Sequence, residues 1–299
     1  MKALSSVLKR QWPYHAMLLP GVLATIVFSY VPLYGLIIAF QKYNVALGFQ
    51  SKWVGLDNFR FLFTQPNFVR TIWNTLYITV FKIVGNIAVP VLFALLLNEV
   101  RNEKVKKAFQ TLVYLPHFLS WVILAGLFSD ILASGGVVNQ LLAACGLAPV
   151  RFLSSPAVFP WTMVVTDIWK SFGFGTVIYL AALSGIDPNL YEAAMVDGAT
   201  RWQQTTRITV PLLIPTVVLM TVLSLGGILN AGFDQIYNLY APVVYSSGDI
   251  IDTYVYRLGI EQAQYSVGTA VGLFKSLISA VLICLSYWIA DRVAGYRVF

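Results

Sequence analysis

Asp167, Lys170, Ser171 and Phe174 recur at i, i+3, i+4 and i+7, so on a helix they share one face. A carboxylate, an ammonium, a hydroxyl and a ring, with Trp169 beside them, can hold a polar solute. Aromatic faces cover the apolar faces of a pyranose, and hydrogen-bonding groups meet its hydroxyl rim. A second reading is an internal Asp167–Lys170 ion pair that only rigidifies the helix. The residues leave both open. Lys82, Lys170 and Lys275 all lie in apolar stretches. Together they raise an anionic solute, such as a saccharide containing uronic acid; each could instead be paired, or could snorkel to the interface.

Covalent chemistry finds little support. No G-x-x-x-x-G-K-[ST] phosphate loop is present, and His15 and His117 are the only histidines, so H-E-x-x-H is absent. Neither histidine has an evident triad partner. Asp130 and Asp167 could be cast as the carboxylate pair of an intramembrane enzyme, but Asp130 sits near the end of its apolar run. No cofactor and no metal site are expected.

The elements that position these residues are membrane helices. Hydrophobic residues make up 58% of the 299-residue chain and charged residues 11%, too few to cover a soluble surface. That composition excludes a soluble enzyme and a free nucleic-acid-binding domain. The net charge of +7 reflects Lys and Arg collecting on one side of a membrane. Cys145 and Cys284 suggest no disulfide framework. Six stretches are long enough to span: about 16–40, 71–97, 109–132, 159–183, 211–231 and 268–290. With the termini inside, eleven Lys and Arg fall in inner segments, six in outer ones and three within spans. The bias places both termini in the cytoplasm. Several spans carry polar groups, among them Asn74, Lys82, Asn86, His117, Asp167 and Lys170. Such groups face protein or a wet path rather than lipid. Gly268, Gly272 and Ser276 permit close helix approach. The longest connection, 232–267, carries Asp234, Asp249, Asp252 and Glu261. It reads as a solvated cap, with a docking surface for a soluble partner as the alternative.

The segment 184–215, SGIDPNLYEAAMVDGATRWQQTTRITVPLLIP, is the most informative. Asp187 and Pro188 mark a helix start. Leu190, Ala193 and Ala194 supply small apolar surface, Glu192 and Asp197 charge, and Gly198 a turn or close approach. This predicts a short helix, a turn and a second short helix ahead of the span opened by Pro211. Its polar face is not rich in Lys or Arg, which argues for a protein groove rather than lipid.

Glu192-Ala193-Ala194, then Asp197-Gly198-Ala199, then Ile208 and Pro211, resembles the EAA loop of ABC importer permeases. Trp53-Val54-Gly55-Leu56-Asp57-Asn58-Phe59, Asn74-Thr75-Leu76, Tyr114-Leu115-Pro116-His117-Phe118 and Asp167-Ile168-Trp169-Lys170-Ser171 resemble the same family. So do Ala94-Leu95-Leu96-Leu97-Asn98-Glu99-Val100 and Ile251-Asp252-Thr253-Tyr254-Val255-Tyr256, and these two with the stretches at 114–118 and 167–171 resemble its branch importing complex oligosaccharides. The resemblance implies an all-α membrane protein with six transmembrane helices and a cytoplasmic coupling helix between spans four and five. Residues 1–70 would hold the first span and an outer loop, and 71–299 a five-helix transport core with the EAA loop at 184–211. Tyr191, Glu192, Ala193, Ala194, Asp197, Gly198 and Ala199 would dock on the ATPase. Asp167, Lys170, Ser171 and Phe174 match positions lining the sugar site of maltose-type permeases, with different residue types. The partners implied are a second, homologous permease subunit, an ATPase dimer, an extracytoplasmic binding protein and an oligosaccharide. The location implied is the bacterial plasma membrane, with no nucleic acid partner and no covalent chemistry in this chain. A secondary transporter or channel would explain the spans but not the EAA loop.

Overall fold

The computed structural model describes residues 2–294, and helices dominate it. Residues up to Thr64 form one compact unit with Val255–Leu273; Gln65–Tyr254 and the residues from Phe274 onward form the other.

In the first unit, α1 (Lys2–Thr25) continues through a π-helical turn (Ile26–Tyr30) into a 3-10 segment (Val31–Phe40). A two-stranded antiparallel hairpin follows, β1 (Gln41–Asn44) and β2 (Gly48–Trp53), with Gln41 opposite Trp53 and a bulge between Lys42 and Asn44. Ser51 pins its turn, accepting from Asn44 N at 2.9 Å and donating to Gly48 O at 2.6 Å. The short helix α2 (Asp57–Thr64) comes next, and Asn58 donates to Ala39 O at 2.8 Å and Gln41 O at 3.0 Å.

The second unit opens with α3 (Pro66–Glu99), 34 residues long. Then come α4 (Glu103–Tyr114), a 3-10 turn (Leu115–Phe118), α5 (Trp121–Ile131), α6 (Val137–Ala144) and α7 (Phe159–Ser184). The expected short helices are α8 (Pro188–Val196) and α9 (Arg201–Gln204), followed by a π-helical turn (Thr205–Thr209) and α10 (Val210–Leu225). Three brief helices, α11 (Phe233–Leu239), α12 (Tyr245–Gly248) and α13 (Ile251–Tyr256), lead toward α14 (Tyr265–Ala294).

Four helices are long and apolar enough to cross a membrane among the described residues: Gln11–Phe40, Pro66–Glu99, Arg201–Leu225 and Tyr265–Ser286. The stretch 109–132, expected as one span, is instead a pair, Glu103–Phe118 and Trp121–Ile131, bent by 102°. Pro116 supplies no donor to the preceding turn, Leu119 is extended, and Ser120 caps a new helix by accepting from Ile123 N at 3.3 Å. The helix α7 is long enough at 26 residues, but Asp167, Lys170 and Ser171 at its centre lower its hydropathy. The fifth stretch, expected over 211–231, is helical from Arg201 and stops at Leu225, because Gly226-Gly227 releases the backbone and Gly232 turns at φ +91°.

The connection expected as a solvated cap is folded into the core from Phe233 to Tyr254. Ile236, Leu239, Val244, Ile250 and Ile251 are buried there, and Gln235, Asp249 and Thr253 with them. The carboxylates escape water through partners: Thr253 Oγ1 donates to Asp249 Oδ1 at 2.8 Å, and Lys275 pairs with Asp252. Asp234 and Glu261 stay exposed.

The pairing of α3 with α7 forms the spine of this unit. Gly175 lies under Pro90, and Phe93 meets Phe172 edge-on at 5.2 Å. Gly173 lets α4 approach; a Cβ there would stand 2.1 Å from Val113 O. Gly173→Val should therefore push α4 off α7 and cost about 1–3 kcal/mol. Fluorescence-detected size exclusion after heating should show a lower midpoint than wild type.

Candidate functional site

The chain at Asp187 turns into α8 for local reasons. The Asp187 carboxylate accepts from Asn189 N at 3.0 Å, and Pro188 occupies the first turn with its fixed φ. The helix ends at Val196, and two residues on Gly198 turns the chain at a φ of +78° that glycine adopts without strain. Ala199 N reaches back to Ala194 O at 2.9 Å, closing the turn. Thr200 and Gln203 then form a reciprocal capping box that starts α9. Glu192, Ala193, Asp197 and Gly198 are exposed, while Tyr191, Ala194 and Ala199 are half-buried. Met195, Val196 and Trp202 are exposed large apolar side chains on the same loop. The loop is tied at two points. Tyr191 Oη and Thr209 Oγ1 share a hydrogen bond at 2.9 Å, and Arg201 Nη1 meets Glu99 Oε2, at the end of α3, at 3.1 Å.

The residues predicted to share one face of α7 divide between two environments. Asp167 does not pair with Lys170. Its Oδ1 accepts from Lys82 Nζ at 3.3 Å and its Oδ2 from Asn86 Nδ2 at 2.9 Å, both on α3. Lys82 is buried; it also donates to Ala231 O at 2.7 Å and to Gln235 Oε1. Gln235 in turn donates to Met163 O at 2.8 Å and Thr166 Oγ1 at 2.7 Å. A cavity of about 290 Å³ opens beside this cluster, lined by Thr79, Lys82, Asn86, Asp167, Ser224 and Asn230 among others. Thr79 Oγ1 and Asn86 Oδ1 are buried on its wall with no partner among the described residues. These two groups therefore remain available for a polar guest.

Lys170 turns the other way, to the break between α4 and α5. Its Nζ donates to His117 O at 3.1 Å and stands 5.4 Å from the Trp121 ring. His117 stacks on Phe174 at 4.2 Å, and Trp169 meets Phe128 edge-on at 5.5 Å. Trp169 and Phe174 remain exposed; Ser171 is half-buried. The result is an accessible group of rings around one ammonium. Trp121 and Phe128 had no signal in the sequence beyond being aromatic, because the bend that turns them toward α7 is tertiary. Gln235 was hidden in a stretch that reads as a loop. Of the three intramembrane lysines, Lys82 and Lys275 have carboxylate partners, and Lys170 has a carbonyl and a ring.

Residues 87–295 match the family model of the binding-protein-dependent transport system inner membrane component. The chain belongs to this family. It is 41% identical over 280 residues to the polygalacturonan/rhamnogalacturonan transport system permease protein YteP of Bacillus subtilis (strain 168), covering 93% of this chain and 87% of that protein. A crystal structure of a bacterial ABC transporter involved in the import of the acidic polysaccharide alginate aligns with a TM-score of 0.89 and 42% identity, covering 97% of this chain and 99% of that one. A second, of a bacterial alginate ABC transporter in complex with an alginate pentasaccharide-bound periplasmic protein, aligns at 0.89 and 41%, covering 98% and 99%. The permease fold expected from the EAA loop is therefore the fold of this chain.

Removing Lys82 strands a buried carboxylate. Lys82→Met should lower the yield of folded permease, at about 3–5 kcal/mol, and adding Asp167→Asn should restore much of it. Yield of the single and double variants from membranes, by size exclusion, checks this.

Proposed function

We propose that this chain is the permease subunit of an ATP-driven, binding-protein-dependent importer of acidic oligosaccharides in the bacterial plasma membrane, with both termini cytoplasmic. It pairs with a homologous permease, an ATPase dimer and an extracytoplasmic binding protein. Residues 71–299 serve as the transport core. ATP is hydrolysed by the partner subunits, and this chain moves its solute by alternating access without covalent chemistry.

The observation that carries the substrate class is Lys170. It is an intramembrane ammonium with no carboxylate partner among the described residues, beside exposed rings and on the helix face predicted to line the path. A uronate offers that ammonium a carboxylate, and its pyranose offers apolar faces to Trp169 and Phe174. The likeness to permeases of polygalacturonan and alginate import supports the same class. Asp167 serves differently, as the counter-ion of Lys82 beside a polar cavity.

Coupling rests on α8. Tyr191, Glu192, Ala193, Ala194, Asp197, Gly198 and Ala199 form the part that seats on the ATPase, with exposed Met195 and Val196 entering its groove. The Tyr191 hydrogen bond to Thr209, just ahead of α10, and the Arg201–Glu99 bridge from α9 to α3 pass the loop's motion to those helices.

Two outcomes test this. Glu192→Lys should reduce ATP hydrolysis stimulated by loaded binding protein at least tenfold, through a like-charge contact worth several kcal/mol, with permease yield unchanged. Unchanged stimulation would remove the coupling role. Lys170→Met keeps the bulk and removes the charge. In proteoliposomes it should lower the ratio of acidic to neutral oligosaccharide uptake about ten- to hundredfold, as expected for a lost charge-assisted hydrogen bond. An unaltered ratio would overturn the acidic substrate at this position.

A further inference from the structure

A second cavity, of about 300 Å³, lies where the Glu99 end of α3, the face of α4 from Lys106 to Tyr114 and the Ser184 end of α7 meet, with Val177 and Leu180 on its apolar side. Asn98, Lys106, Gln110, Tyr114 and Ser184 line it. Ser184 is satisfied by its own helix, donating to Leu180 O at 2.7 Å. Asn98, Lys106, Gln110 and Tyr114 have no hydrogen-bond partner among the described residues; Asn98 is exposed and the other three residues are half-buried. An ammonium without an acceptor in the protein, beside three neutral hydrogen-bonding groups that no protein group satisfies, is a receptor for an anion that also carries hydroxyls.

The surroundings restrict the anion. Arg101, Lys104 and Lys107 flank Lys106 within seven residues. Of the acids nearby in sequence, Glu99 is held by Arg201 at 3.1 Å and Glu103 is exposed at the start of α4. The cations outnumber the acids and outweigh the partial negative charge at the end of α7. The helix α4 is amphipathic: past its basic first turns it exposes Phe109 and Leu112, and Leu115 follows. An apolar strip beside a basic, polar pocket at the end of a membrane-length helix matches one kind of guest. Its phosphate meets the ammonium, its hydroxyls meet amides and a phenol, and its chains run along the strip.

We propose that this cavity binds the glycerophosphate headgroup of an anionic phospholipid such as phosphatidylglycerol, with Lys106 on the phosphate and Asn98, Gln110 and Tyr114 on the glycerol. The site is separate from the Lys82 cavity and from the rings around Lys170. It needs only that this end of α3 lies at a membrane face, and does not depend on the transported solute. A lipid here bridges α3, α4 and α7, so occupancy braces the elements that meet the loop through Arg201.

The experiment uses the assembled transporter, purified in mild detergent. Native mass spectrometry counts retained phospholipids during titration with phosphatidylglycerol or phosphatidylcholine. Wild type should bind one phosphatidylglycerol about tenfold more tightly than phosphatidylcholine. Lys106→Met should abolish that preference and Lys106→Arg should keep it. Lys104→Met, outside the cavity, should leave it nearly intact. Equal preference in wild type and Lys106→Met, or equal loss in Lys104→Met, would overturn the site, the latter by showing only diffuse attraction to the basic cluster. A soluble arm distinguishes the source of the phosphate. Inorganic phosphate and glycerol 1-phosphate should fail to displace the lipid at millimolar concentration; displacement by either would overturn a lipid guest.

Discussion

Lys82 is a cation placed where a cation is costly, and the second unit is arranged around meeting that cost. Its ammonium is enclosed by the Asp167 carboxylate on α7 and by the Ala231 carbonyl and Gln235 amide oxygen of the stretch that enters α11. Isolated, each would be expensive to bury. Assembled, they draw α3, α7 and the segment leading into α11 to one point, and Gln235 extends the tie to Met163 and Thr166. The apolar contacts that surround the cluster, Ile78, Phe159, Met163 and Ile236 among them, supply cohesion without direction. The ion cluster supplies register, because a shift of one residue along α3 would leave both charges unpaired.

That tie also explains why the polar residues of α7 do not act as one set. Asp167 is spent on structure and leaves Lys170, one turn later, without its neighbour. The ammonium then turns to the gap that the bend in the third helical stretch creates, where His117, Trp121 and Phe174 gather. Charge neutralisation in one place and charge availability in the other follow from a single choice of partner.

The sequence made some of this readable and concealed the rest. Apolar length located the long helices. Asp187, Pro188 and Gly198 announced the start and end of α8, since capping and positive φ are local demands written in local residues. The partner of Asp167 was not readable: periodicity sees neighbours three and four residues away, and Lys82 lies 85 positions distant. The bend at Leu119–Ser120 was concealed because one proline in an apolar run reads as a tolerated kink. Residues 233–254 looked wet because Arg257 is the one cation near their carboxylates in the chain; Lys275 and Thr253 neutralise or satisfy Asp252 and Asp249 only once folded.

The carbonyl of His117 sits at the end of a helix that stops short, so it lacks the amide that a continuing helix would have offered. Lys170 fills that vacancy. The ammonium carries three donors, and the main chain takes one of them. Two donors remain, so a carboxylate-bearing solute bound there as proposed would join the carbonyl on the same ammonium. Solute occupancy and the kink would then meet at one shared group, the Lys170 ammonium, without a relay of intervening residues.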